Sequence, residues 1–422
     1  MLRDHPERYE TSNELHARPF PALRTGSEAA FLAIKRAHDA ANRDRAADRA
    51  HLVALLDRFG ADHPKPDATH FFGTLGRHRL KWESHTEFVT YTIFSEGLSE
   101  RPFDGTLFEA FPQDWLDAAP GLRLTSILLR VEPEGADTAA RLHEWFEGES
   151  LAVSRVVDGT AVIAGDFRID ARGHSRFAIF TADDVGERRI GRIVQRLCEI
   201  ETYKTMSMLA LPRARELGAR LTEIDGELSA LVGELRSAER TSDATLEQLL
   251  AIGSDLETML ARSAFRFGAT GAYSALVEQR IGVLREERFG GRQTFAEFMM
   301  RRFDPAMRTC RSVERRMEAL AERARRAGDL LSTRVSVERE QQNGRLLRSM
   351  DERAAMQLRL QKTVEGLSVV AIGYYAVNLV TYLAYPFGAR VGLAKETISA
   401  LAVVPVLFVV WFVVHRIRAM AE

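Results

Sequence analysis

Leu367-Ser368-Val369-Val370-Ala371-Ile372-Gly373 and, further on, Val403-Val404-Pro405-Val406-Leu407-Phe408-Val409-Val410-Trp411-Phe412-Val413-Val414 decide how this chain is organised. Between Glu365 and Arg390 there is no Asp, Glu, Lys, Arg or His, and between Glu396 and His415 there are eighteen residues without one. A helix crosses a bilayer core with about 20 apolar residues, so both runs qualify. Core helices of soluble proteins rarely stay charge-free for that length, and here two follow each other. The expectation is a transmembrane hairpin over residues 366–422, with the lipid bilayer as its partner. Arg353, Arg359 and Lys362 precede the first run, and His415, Arg416 and Arg418 follow the second. The loop holds Arg390, Lys395 and Glu396. The excess of positive charge outside the loop puts both termini in the cytoplasm. The opening Met1-Leu2-Arg3-Asp4-His5-Pro6 has no apolar run, which argues against a secretory leader.

The first run is polar for a simple anchor. Ser368, Tyr375, Asn378 and Tyr382 are spaced 7, 3 and 4 and fall on one helical face. Polar groups in a membrane need protein or water beside them. Two readings stay open, hydrogen-bonded glue between helices and the lining of a pore or oligomer axis, and both imply self-association.

Working back from the membrane, residues 305–365 contain no proline after Pro305 and only Gly328 and Gly344. An unbroken helix of that length would run about 90 Å, a stalk leading into the first span. Residues 183–304 read as helical. Leu217, Leu221, Ile224, Leu228, Leu231 and Leu235 follow a 4-3-4-3-4 spacing, a coiled-coil seam. Thr241-Ser242-Asp243 breaks it with N-cap chemistry, and Leu246, Leu249, Ile252, Leu256 and Leu260 form a second series. The seam needs a partner helix from this chain or another copy.

Residues 1–182 read as an α+β domain with four to six strands. Phe88–Phe94, Leu124–Val131, Ala161–Ala164, Phe167–Asp170 and Phe177–Phe180 are rich in β-branched and aromatic residues. Arg172-Gly173-His174 predicts a hairpin turn, and Pro112–Ala118 and Thr138–Glu147 predict short helices. Glu28–Phe59, with Ala30, Leu32, Ile34, Ala37 and Ala41, predicts a helix ending at Gly60.

Composition narrows the function. The formal net charge is −1, so there is no basic signature of a nucleic-acid binder. Two distant cysteines, Cys198 and Cys310, form no metal or disulfide pattern, and no phosphate-loop, dinucleotide, zinc-protease or serine-hydrolase motif occurs. The expectation is no enzyme, no cofactor, no catalytic residue and no metal site. The block His5, Arg8, Tyr9, Glu14, His16 and Arg18 reads as an arm docking on the domain or on a neighbouring subunit. Glu199, Glu201 and Tyr203 read as a salt-bridged helix rather than a cation site.

His5-Pro6-Glu7-Arg8-Tyr9 with Asn13-Glu14-Leu15-His16-Ala17-Arg18-Pro19-Phe20, Glu199-Ile200-Glu201-Thr202-Tyr203, and Gln361–Ile372 resemble the blocks of a bacterial family of membrane-anchored proteins, domain of unknown function 3422. The resemblance implies a bacterial inner membrane and brings no established activity. The layout is also similar to that of CorA-type magnesium channels, pentamers whose first span lines the pore. Their Gly-Met-Asn signature is replaced here by Tyr385-Pro386-Phe387-Gly388, and Asn378 sits mid-span. The expected protein is a homo-oligomer passing or sensing ions, with cations as candidate partners. The alternative is a non-conducting membrane scaffold.

Overall fold

A computed structural model describes residues 3–14, 20–237, 242–388, 390 and 394–421. In chain order the elements are α1 (Arg8–Glu14), β1 (Ser27–Lys35), α2 (Arg45–Arg58), β2 (His70–Leu75), β3 (His78–Ser84), β4 (Phe88–Glu96), α3 (Gln113–Asp117), β5 (Leu122–Pro133), α4 (Thr138–Trp145), β6 (Ala152–Val156), β7 (Ala161–Ile169), β8 (Ser175–Thr181), α5 (Glu187–Met208), α6 (Leu211–Ser237), α7 (Ser242–Gly282), β9 (Glu287–Arg288), α8 (Phe295–Arg302), α9 (Asp304–Gly388) and α10 (Lys395–Ala421). Two compact units result: residues 1–240 with 247–327, and residues 241–246 with 328–422.

The first unit is built on one nine-stranded sheet ordered β2-β3-β4-β1-β5-β8-β7-β6-β9. All pairings are antiparallel except β5 with β8. This exceeds the four to six strands expected. The largest correction is Ser27–Lys35, which is the central strand β1 and not the start of a helix. Ala30, Leu32 and Ile34 alternate with Ala29, Phe31 and Ala33, and both sets are buried. A strand covered on both faces loses the polar alternation that would have identified it. The helix begins only at Arg45, with the Asp44 side chain accepting from Ala46 N–H. It ends as expected at Gly60, where Gly60 N–H donates to Asp57 O and Ala61 N–H to Leu56 O, a Schellman pair.

The period-two pattern sorts the sheet's faces. Leu80, Trp82, Val89, Tyr91 and Ile93 join Leu52, Leu55, Leu56 and Trp115 in the core under α2 and α3. Lys81, Glu83, Thr90, Thr92 and Phe94 point to the other face, towards α5. Arg43 ties the β3–β4 turn to α2. It donates to Asp48 (2.6 Å), His85 O (2.6 Å), Phe88 O (3.1 Å) and Thr86 O from a buried position. The hairpin expected at Arg172–His174 joins β7 to β8, with Gly173 at φ 90°.

Helices α6, α7 and the start of α9 pack within this unit. The described seam residues Leu217, Leu221, Ile224, Leu228 and Leu231 are all buried inside the single chain, and the side chain of Leu235 lies outside the described residues. Arg323 pairs with Asp225 at 2.9 Å and Arg220 with Asp255 at 3.2 Å, so α9 and α7 flank α6. The seam therefore finds its partners in its own chain. Thr241 of the expected N-cap also lies outside the described residues.

The second unit contains most of α9, an 85-residue helix unbroken at Gly328, Gly344 and Pro386, together with α10. Asp304–Gly388 and Lys395–Arg416 each carry a window long and apolar enough to cross a membrane, and only 11% and 6% of those windows are buried.

Candidate functional site

The charged strand face beneath α5 encloses a cavity of about 320 Å³. Its floor is Phe31 of β1, Lys81 and Glu83 of β3, and Thr90, Thr92 and Phe94 of β4. Its roof is Gln195, Arg196, Cys198, Glu199, Thr202 and Tyr203 of α5, and Arg280 of α7 closes one side. Lys81 is buried, and its ammonium donates to Gln195 Oε1 (2.9 Å) and pairs with Glu83 (3.1 Å). Gln195 passes the chain on to Glu199 Oε1 (2.8 Å), and Glu199 pairs with Arg280. Each strong charge in this relay has a fixed partner of opposite sign, as burial requires.

Phe20 and Pro21 form the remaining wall. They are held there because Gly191 of α5 has no side chain: a Cβ at that position would collide with the Pro21 carbonyl. Leu23 N–H then donates to Glu187 O (3.0 Å), and Arg79 donates to Ala22 O. Phe20, the last residue of one sequence block singled out for its resemblance, thus lines the same chamber as Glu199, Thr202 and Tyr203 of another.

Burial pushes the Cys198 thiol up from its ordinary value, with Glu199 adding to the rise, so the group is held as a neutral thiol. Burial pulls Arg196 down, helped by Arg192. The lining offers hydrogen-bonding and charged groups to a polar ligand without presenting an activated nucleophile. Glu201 turns away to Lys204 (2.7 Å). Among the described residues no group of three or more His, Cys, Asp or Glu is placed to hold a metal ion.

The described start of the N-terminal block folds on itself. Arg8 and Tyr9 of α1 both bind Asp4, and all three are exposed, so these residues form a short helix rather than an extended arm. His16 and Arg18 lie outside the described residues. Lys81, Gln195 and Arg280 carry the chamber and were not singled out from sequence. The available signal was the alternation His78-Arg79-Leu80-Lys81-Trp82-Glu83, which reads equally well as a strand with one solvent face.

The four polar residues of the first apolar run are brought together only in part. Ser368, Tyr375 and Tyr382 are exposed, while Asn378 is half-buried and donates to Tyr374 O at 3.1 Å. The contact with α10 is made from another side of the helix. Gly373 is buried, and a Cβ there would lie 3.2 Å from Leu407. Thr381, Ile398 and Ala402 are buried too.

Fold and site together define a sheet-and-helix protein with a polar chamber under α5 and two apolar C-terminal helices. It belongs to the DUF3422 family, whose model, described as a protein of unknown function, matches residues 3–421. No curated protein matches the chain.

Proposed function

We propose that this protein is a membrane-anchored homo-oligomer in which copies of α9 pack around an axis and the polar face of the first span lines a path for ions. One observation carries the reading. At 100° per residue, Leu346, Met350, Leu360, Val364, Ser368, Tyr375, Asn378 and Tyr382 fall within about 40° of a single line along α9. Leu346, Met350, Leu360 and Val364 are all more than half exposed in the single chain. Arg353 and Gln357 interrupt the stripe. The face is apolar where the helix precedes the span and polar where the helix is otherwise apolar. Both halves are unfavourable for an isolated chain. Water should not meet the first, at about 1.5–3 kcal/mol per large side chain, and lipid should not meet the second. A second copy of the same face satisfies both. Anchoring in a plane raises the effective concentration, and a closed ring covers this face in every copy.

The layout that supports this is the one similar to CorA-type channels. The flanking charges support cytoplasmic termini in a bacterial inner membrane. The loop around Gly392, where an external tag would test that orientation, lies outside the described residues. Ion passage is tested in proteoliposomes with a flux dye. Wild type should pass an ion that Asn378→Leu, whose assembly is weakened, does not. Equal flux from both would remove the pore. A non-conducting scaffold is the second reading. It is favoured by Lys395, whose ammonium sits 4.9 Å from the Tyr382 ring centre and places positive charge at the end of the polar face.

A further inference from the structure

On the sheet face opposite the α5 chamber lies a second cavity, of about 410 Å³, with an apolar base and a basic rim. Its base is Leu32 and Ile34 of β1, Phe108, and Leu116 and Ala119 at α3. Its rim is Arg123 of β5 with Arg172 and His174 of the β7–β8 turn. We propose that this cavity binds a small organic anion, a carboxylate carried on an apolar body about the size of a single ring.

Three observations converge. Among the described residues neither Arg123 nor Arg172 has a carboxylate within ion-pair distance; Arg123 reaches only the Arg172 carbonyl, at 3.3 Å. Asp170, the acid nearest in the turn, accepts from the backbone N–H groups of Arg172 and His174 at 2.9 Å each. Asp117 is engaged by Gln113 at 2.8 Å.

The guanidiniums are placed by design of the turns. A Cβ on Gly105 would lie 2.8 Å from Arg172 Nη1, and one on Gly173 would overlap the Arg123 guanidinium. Two glycines therefore clear the space in which the two cations sit. A guanidinium presents a planar fork of N–H donors that matches a carboxylate bidentately.

The third observation is His174, 4% exposed. Its Nδ1 lies 2.7 Å from Ser126 Oγ, and Nε2 has no protein partner among the described residues although the ring lines the cavity. Burial lowers its proton affinity; Asp170 opposes that fall, and the two arginines add to it. A cavity of this size with an apolar floor and a few convergent polar groups is the usual form of a small-molecule site.

The test uses the full-length chain in lipid nanodiscs, with empty nanodiscs as the blank and fluorine NMR as the readout. Three probes separate the chemistry: 4-fluorobenzoate, 4-fluorobenzyl alcohol and inorganic phosphate, the last by displacement of the first. Saturable binding of the benzoate is expected, at least about tenfold tighter than the alcohol and than phosphate. In Arg123→Gln/Arg172→Gln the benzoate should weaken by about tenfold or more, to the level of the alcohol. Arg172→Gln alone, on the exposed rim, serves if the double variant does not fold. The proposal is overturned if the benzoate does not bind, if the alcohol binds equally, if phosphate alone competes equally, or if the glutamine variants bind as wild type.

Discussion

Gly373 of the first apolar span packs directly on Leu407 of the second, so close that an added Cβ would stand 3.2 Å from the leucine Cδ2. Tyr375, two residues on, is 70% exposed. Around the helix these two residues lie about 160° apart. The chain's own hairpin thus uses one side of the span and leaves the polar side uncovered.

Substitutions on the two sides should separate. Gly373→Leu forces the hairpin apart and should raise the susceptibility of α10 to proteolysis or hydrogen exchange in detergent, whatever the oligomeric state. Tyr375→Leu should leave the hairpin intact and act only on association between chains. If both variants show the same pattern, the two faces are not distinct.

Gly191→Ala tests how the α5 chamber is closed. The new methyl has no room against the Pro21 carbonyl, so the segment 20–24 must move off α5. A cost of about 1–3 kcal/mol in the sheet unit is expected, with loss of exchange protection at Leu23, whose N–H is bonded to Glu187 O. Unchanged protection there would show that the wall is held by something else.

Arg43→Met leaves Asp48 buried without its cation and removes a donor from four backbone carbonyls, those of Ala40, His85, Thr86 and Phe88. Removing one partner of a buried pair costs about 3–5 kcal/mol. Denaturant unfolding should report a loss in that range, and a loss below about 1 kcal/mol would mean that water replaces the guanidinium.

The sheet unit should weaken in mild acid. His51 Nε2 lies 3.0 Å from Trp115 O, which can only accept, so Nε2 carries the proton and Nδ1 accepts from the Tyr91 hydroxyl at 3.0 Å. Burial lowers the proton affinity of His51, and likewise of His78 and His174, below the ordinary 6.5. The unfolded chain therefore binds more protons than the folded one just below pH 6.5, and stability rises with pH in that window. The contribution is complete above 6.5 and is lost as pH falls towards the lowered folded values. Unfolding midpoints should drop from pH 7.5 to 5.5, and less so in His51→Gln. Burial also raises Glu286, which acts in the opposite sense near its usual range, but the difference between the two proteins cancels it. Parallel pH profiles would contradict the assignment.

Some of this architecture is legible in sequence and some is not, for physical reasons. β4 and β8 could be read because a run of β-branched and aromatic residues has few alternatives. β1 was misread because Ala29-Ala30-Phe31-Leu32-Ala33-Ile34 is apolar on both faces and alanine favours helix when taken locally. β3 was missed because Lys81 and Glu83 look solvent-facing, whereas α5, more than a hundred residues later, covers them. The seam at Leu217–Leu231 was legible as a buried stripe, but only the fold shows α7 and α9 beside it. The polar face of the first span could be read from spacing alone. Its continuation into Leu346, Met350, Leu360 and Val364 could not, because exposure had to be known.

The central claim is that copies of α9 close around an axis, and the mass of the particle tests it most directly. Full-length protein reconstituted in lipid nanodiscs and in a mild detergent should give one discrete mass, a fixed multiple of the 47.4 kDa chain in both. Leu360→Asp in the apolar half of the shared stripe and Asn378→Leu in the polar half should each shift it towards the single chain. A particle that is monomeric in both environments would contradict the account and leave an anchored soluble domain whose exposed stripe has another explanation.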